Sequence, residues 1–184
     1  SCYIFGNGVS LKYFNFKNFN DKPVIACGAL FSHRDFQKLN VKYYFEGHSF
    51  FYYPYWIHPY SKKIQENFMG EFYKKKNLLN KDILLFCSLS NYFGINGEHV
   101  HYVHRFGVSF DDFSNCRLDG SFTAIASGLG GMLGLAIFMG FKEITLVGCD
   151  YSFFPQAIGH FYEYGRFPDT YKQAPVNKEI LLDA

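Results

Sequence analysis

Cys2-Tyr3-Ile4-Phe5-Gly6-Asn7-Gly8-Val9-Ser10 is the stretch on which the reading of the fold turns. Its first four residues form a short apolar run, and glycine ends that run at once. Such a run reads as a strand buried on both faces, followed by a tight turn, with Ser10 placed to act as the N-cap of a helix. This is the opening strand-turn-helix unit of an α/β protein.

The same logic repeats outward from that segment. Pro23-Val24-Ile25-Ala26-Cys27-Gly28 reads as a second buried strand and Lys42-Tyr43-Tyr44-Phe45-Glu46 as a third. Residues 81–87 and Glu143-Ile144-Thr145-Leu146-Val147-Gly148 supply two more. Helical spacing predicts helices over 64–79 and over the small-residue stretch 121–139. Residues 91–113 read as a long loop carrying a short strand at His101-Tyr102-Val103, and residues 50–59 as an aromatic tract whose Pro54 and Pro59 oppose regular structure. Strands alternating with helices predict an α/β, Rossmann-like fold, a mostly parallel sheet flanked by helices, with ligands at the carboxyl ends of the strands. No repeat or linker divides the chain, so residues 1–184 are expected to form one domain.

Composition narrows the class. Aromatic residues make up 21% of the chain, an excess that calls for burial, a sugar-binding face or a partner surface, although a biased genome composition produces the same enrichment. The formal charge of +2 and the scatter of basic residues argue against nucleic-acid binding. The one basic cluster, Lys74-Lys75-Lys76, reads as a solvated helix face, with peripheral contact to an anionic membrane as the alternative. Five cysteines without a C-x-x-C pair suit reduced thiols and a cytoplasmic setting. No apolar run is long enough to span a bilayer. The start at Ser1 and the stop at Ala184 are those expected of a fragment of a longer chain.

Several residues could carry chemistry. The Gly6-Asn7-Gly8 turn lets the backbone approach a ligand, but it matches neither G-x-G-x-x-G nor the P-loop pattern, which disfavours those modes of dinucleotide or ATP binding. Thr123 to Gly131 opens a second glycine-rich helix start. If both turns face one crevice, they could hold a phosphate from two sides. Asp150 ends a hydrophobic strand, where α/β enzymes place polar functional groups. No D-x-D occurs, so divalent-metal dependence and a bound cofactor are not expected; His99, His101 and His104 have no nearby Cys or carboxylate except Glu98, which disfavours a zinc site. His160 lies among Phe161, Tyr162 and Tyr164 and is of the residue type suited to deprotonate a hydroxyl near neutral pH.

Two segments resemble a known family. Ile4-Phe5-Gly6-Asn7-Gly8-Val9-Ser10-Leu11-Lys12 is similar to the "GNGPSLK" opening of the metal-independent bacterial sialyltransferases that build lipooligosaccharide, with Val9 where that family usually has proline. Ser127-Gly128, followed by Gly140-Phe141-Lys142-Glu143-Ile144-Thr145-Leu146-Val147-Gly148-Cys149-Asp150-Tyr151, resembles their later block. The wider group with this signature includes flagellin-modifying glycosyltransferases and pterin pyrophosphokinase-like proteins. The resemblance implies a GT-A-like variant of the Rossmann-like fold that binds a nucleotide-sugar. It implies Asn7, Gly8, Ser10, Ser127, Gly128 and Asp150 at a CMP-activated donor, Tyr151 and Tyr162 at its phosphate, and His160 as general base. The expected activity is transfer of sialic acid or a related nonulosonic acid to a glycan or protein hydroxyl, at the inner face of the membrane or in the cytoplasm, by a monomer or a homo-oligomer. Two other expectations stand beside it: a pterin-type pyrophosphokinase using ATP and magnesium, and a non-catalytic sugar- or protein-binding module.

Overall fold

A computed structural model of the chain describes residues 1–47, 82–104, 118 and 128–150. Among these residues six strands form one sheet: β1 (Cys2–Phe5), β2 (Val24–Cys27), β3 (Val41–Glu46), β4 (Leu84–Ser88), β5 (Val100–Val103) and β6 (Ile144–Val147). Their order is β5-β4-β3-β2-β1-β6, and every neighbouring pair is parallel. The expected Rossmann-like α/β class is thus the one observed. The short strand expected at His101-Tyr102-Val103 is present as β5 and is a full member of the sheet, with Phe86 opposite His101 and Cys87 opposite Tyr102.

Both faces of the sheet are covered at β1, β2 and β4, which is why these strands read as continuous apolar runs rather than alternating ones. All four residues of β1 are buried. Tyr3 and Phe5 join Leu11, Phe16, Leu30, Phe31 and Tyr44 on one face; Cys2 and Ile4 join Ile25, Phe45, Phe86, Met132 and Leu135 on the other. The second face is closed by α1 (Gly128–Phe138), which lies across β1, β2 and β3. Burial of Met132 and Leu135 contributes about 1.5–3 kcal/mol each. The predicted helix over 121–139 is therefore present from Gly128 onward, and its earlier part, like the predicted helix over 64–79 and the tract over 50–59, lies outside the described residues.

The first face departs from expectation. In place of an α-helix after Ser10, the chain makes 3-10 turns at Val9–Tyr13 and Phe16–Phe19, then at Leu30–Ser32 and Phe36–Lys38 after β2. Asn15, Asn18 and Asn20 supply the reason: asparagine side chains compete for backbone groups and favour turns, and Asn15 Oδ1 accepts from Lys17 N–H at 3.2 Å. The aromatic residues between these breaks need only short turns to reach the core. Phe16 packs edge-on to Phe5 and stacks on His33 with ring centroids 4.1 Å apart.

Among the described residues no helix is long and apolar enough to cross a membrane.

Candidate functional site

From β1 the chain adds β2, β3, β4 and β5 outward in one direction, and β6 then pairs with the other side of β1. The direction of winding therefore reverses between β1 and β6, and open α/β sheets bind ligands at the carboxyl ends of the strands flanking such a reversal. The segments that meet there are Gly6-Asn7-Gly8 after β1 and Gly148-Cys149-Asp150 after β6.

These two segments are tied closely together. Gly6 N–H donates to the Val147 carbonyl at 2.9 Å, and Gly8 N–H to the Gly148 carbonyl at 2.8 Å. Ser10 donates twice to Asp150, from its N–H to Oδ2 at 2.7 Å and from its hydroxyl to Oδ1 at 2.5 Å. The approach leaves no room for a side chain: a Cβ on Gly8 would lie 2.4 Å from Asp150 Oδ2, and one on Gly6 would lie 2.4 Å from the Gly148 carbonyl oxygen. Gly148 itself turns through the left-handed region at φ 63°, against the buried Leu11.

Ser10 is thus not an N-cap. Gly8 occupies the cap position of a five-residue 3-10 turn, and no side chain caps it. The serine hydroxyl is drawn instead to the Asp150 carboxylate, contributed by the segment after β6, which also takes the Ser10 N–H. This alters the electrostatics expected for the turn. A carboxylate already accepts from the N–H that a phosphate would have used, and its charge opposes a second anion at the same spot.

Asn7 points the other way, toward β2. Its Nδ2 donates to the Cys27 carbonyl at 3.1 Å, and its Oδ1 is buried with no hydrogen-bond partner among the described residues, a desolvation cost of about 1–3 kcal/mol. Gly28 lies directly beneath it at φ 58°, and a Cβ there would meet Asn7 Nδ2 at 2.5 Å, so both the backbone and the space favour glycine. The same Cys27 carries the first described residue of α1: a Cβ on Gly128 would be 3.2 Å from Cys27 Sγ. Asn7, Cys27, Gly28 and Gly128 therefore converge at one edge of the sheet.

No protein-family model, curated protein or solved structure matches the chain.

Of the predicted site residues, Asn7, Gly8, Ser10, Gly128 and Asp150 all lie at this edge; Ser127, Tyr151, His160 and Tyr162 lie outside the described residues. Cys27, Gly28, Gly148 and Cys149 also belong to the edge and were not among the expected site residues. A sequence signal for them exists in the glycine that directly follows β1, β2, β3 and β6, at Gly6, Gly28, Gly47 and Gly148. Burial pushes the Cys27 and Cys149 thiols of this edge up, as it does that of Cys87 in β4, to about 12. No group of three or more potential metal ligands occurs among the described residues.

Proposed function

We propose that the chain is the donor-binding domain of a metal-independent glycosyltransferase, moving sialic acid or a related nonulosonic acid from a CMP-activated donor to a hydroxyl on a glycan or protein. The observation that carries this reading is the meeting of two glycine-lined segments on Cys27, one from Asn7 and Gly28, the other from Gly128. Their glycines allow a ligand to reach the backbone closely, and they stand beside the reversal of the sheet.

In this reading Ser10 and Asp150 hold the first turn in shape. The donor phosphate seats at the Gly128 end of α1, away from the Asp150 carboxylate, and the roles of further phosphate donors fall to Ser127, Tyr151 and Tyr162. His160 takes the proton from the acceptor hydroxyl as the bond from the anomeric carbon to the CMP phosphate oxygen breaks and the new glycosidic bond forms. The CMP leaves with the electron pair of the broken bond, and donors aimed at its phosphate are typically each worth about 3 kcal/mol in the transition state.

Calorimetry with CMP, UMP, GMP and ATP, with and without magnesium, tests the reading. CMP binding that is indifferent to magnesium is the expected result, with His160→Ala retaining that binding and losing transfer. A requirement for ATP and magnesium would replace the transferase with a pyrophosphokinase, and no nucleotide binding would leave a non-catalytic module.

A further inference from the structure

The carboxyl end of β4 carries an exposed aromatic pair. Tyr92 and Phe93 are 53% and 78% exposed, in the loop that follows Ser88. They are held in place rather than loose. Tyr92 N–H donates to the Leu89 carbonyl at 3.1 Å, and Gly94 and Ile95 N–H both donate to the Asn91 carbonyl. The Tyr102 hydroxyl closes the loop on the Ile95 carbonyl at 2.5 Å. The Tyr92 ring sits edge-on between Tyr102, at 5.2 Å, and Phe93, at 5.5 Å. Among the described residues nothing in the packing of the core requires Phe93 to stand out, and a ring of this size left in water forgoes about 1.5–3 kcal/mol of burial.

We infer that Phe93, braced by the edge-on Tyr92 ring, forms a stacking platform for a pyranose ring, a subsite for the acceptor saccharide. A pyranose presents a face of C–H groups that packs on an aromatic ring and a rim of hydroxyls that needs polar neighbours, and Ser90, whose hydroxyl lies 2.9 Å from that of the buried Ser88, stands at the base of this loop. Size argues against a protein occupant. Two aromatic rings cover at most about 300–500 Å², whereas a stable protein contact buries roughly 800 Å² on each partner. Position argues for a substrate: β4 stands three strands from β1 on the same carboxyl edge, a separation of about 14 Å, which an extended nucleoside-phosphate-sugar chain spans. The acceptor role rests on the transferase reading, but the stacking platform does not.

Saturation-transfer NMR with methyl β-galactopyranoside, methyl α-mannopyranoside and methyl β-N-acetylglucosaminide tests it on the 1–184 chain. Transfer to the C–H face of at least one pyranoside is expected. Phe93→Ala and Phe93→Leu should weaken that binding about fivefold or more, and Phe93→Trp should keep it. Phe93 is exposed, so these variants leave the fold intact, which their circular dichroism checks. Absence of transfer to all three pyranosides overturns the inference, as does equal binding by Phe93→Leu, which would mean apolar contact without stacking. Sedimentation showing a dimer that Phe93→Ala dissolves would also overturn it in favour of a self-contact. Calorimetry with CMP on the same samples separates the two proposals: pyranoside binding without CMP binding keeps the platform and removes the transferase.

Discussion

Gly8→Ala puts the packing of the candidate site to the most direct test. Gly8 has φ −66° and ψ 158°, a conformation open to alanine, so any cost is steric and not a matter of backbone preference. The new methyl would meet Asp150 Oδ2 at 2.4 Å and the Gly148 carbonyl oxygen at 2.7 Å. The carboxylate can swing away only by giving up both hydrogen bonds to Ser10, a loss of about 2 kcal/mol for two solvent-facing bonds. The carbonyl is backbone and cannot swing, which adds about 1 kcal/mol of overpacking. Restricting the unfolded chain returns about 0.5–1 kcal/mol, leaving a net destabilisation of about 2 kcal/mol. Gly140→Ala is the matched control: its φ of 78° strains alanine, but no atom lies within 4 Å, so it should cost about 1 kcal/mol or less. Urea unfolding at constant m-value measures both. Because Gly8→Ala already breaks the Ser10 bonds, Asp150→Ala should add little on top of it, a coupling of about 1–2 kcal/mol. A Gly8→Ala midpoint no lower than that of Gly140→Ala, or simple additivity with Asp150→Ala, would refute the reasoning.

Two further outcomes follow from the core. Gly131→Ala sets a methyl 2.0 Å from Phe45 Cε1, and Phe45 is buried, so the overpacking outweighs the gain in helix propensity of about 1 kcal/mol; a urea midpoint below wild type is expected, and one above it would mean that α1 lies further from the sheet. Cys87 is held protonated by burial, with Glu46 adding to the effect, at about 12 against an ordinary 9.0. Its contribution to stability is complete below pH 9 and is lost as pH rises through 9 toward 12, with a slope of at most about 1.4 kcal/mol per pH unit. Urea midpoints taken from pH 8 to 11 should accordingly fall less steeply in Cys87→Ala than in wild type, and parallel slopes would count against this cause.

The strands were legible because a parallel sheet covered on both faces demands short, uninterrupted apolar runs, and here β1, β2 and β6 are each followed by glycine. Asn7, Gly8 and Asp150 could be picked out as residues at strand ends for the same local reason. The crossovers on the first face were misread because Ser10 has the side chain of an N-cap, while the asparagines beyond it favour tight turns over a full helix. The strand at His101-Tyr102-Val103 was legible as a short apolar-aromatic run, but polar surroundings gave no sign of its partner, and its pairing with β4 is what makes it part of the sheet.

What the sequence by itself determined is local: where the chain runs straight into the core, where glycine lets it turn, and which polar residues stand at the ends. The tertiary structure alone decided which ends meet. Strand order brings β6 beside β1, and Ser10 then finds Asp150, 140 residues away, while Cys27 finds both Asn7 and Gly128. Such pairings depend on the summed packing of the whole sheet, and no window of sequence contains both partners.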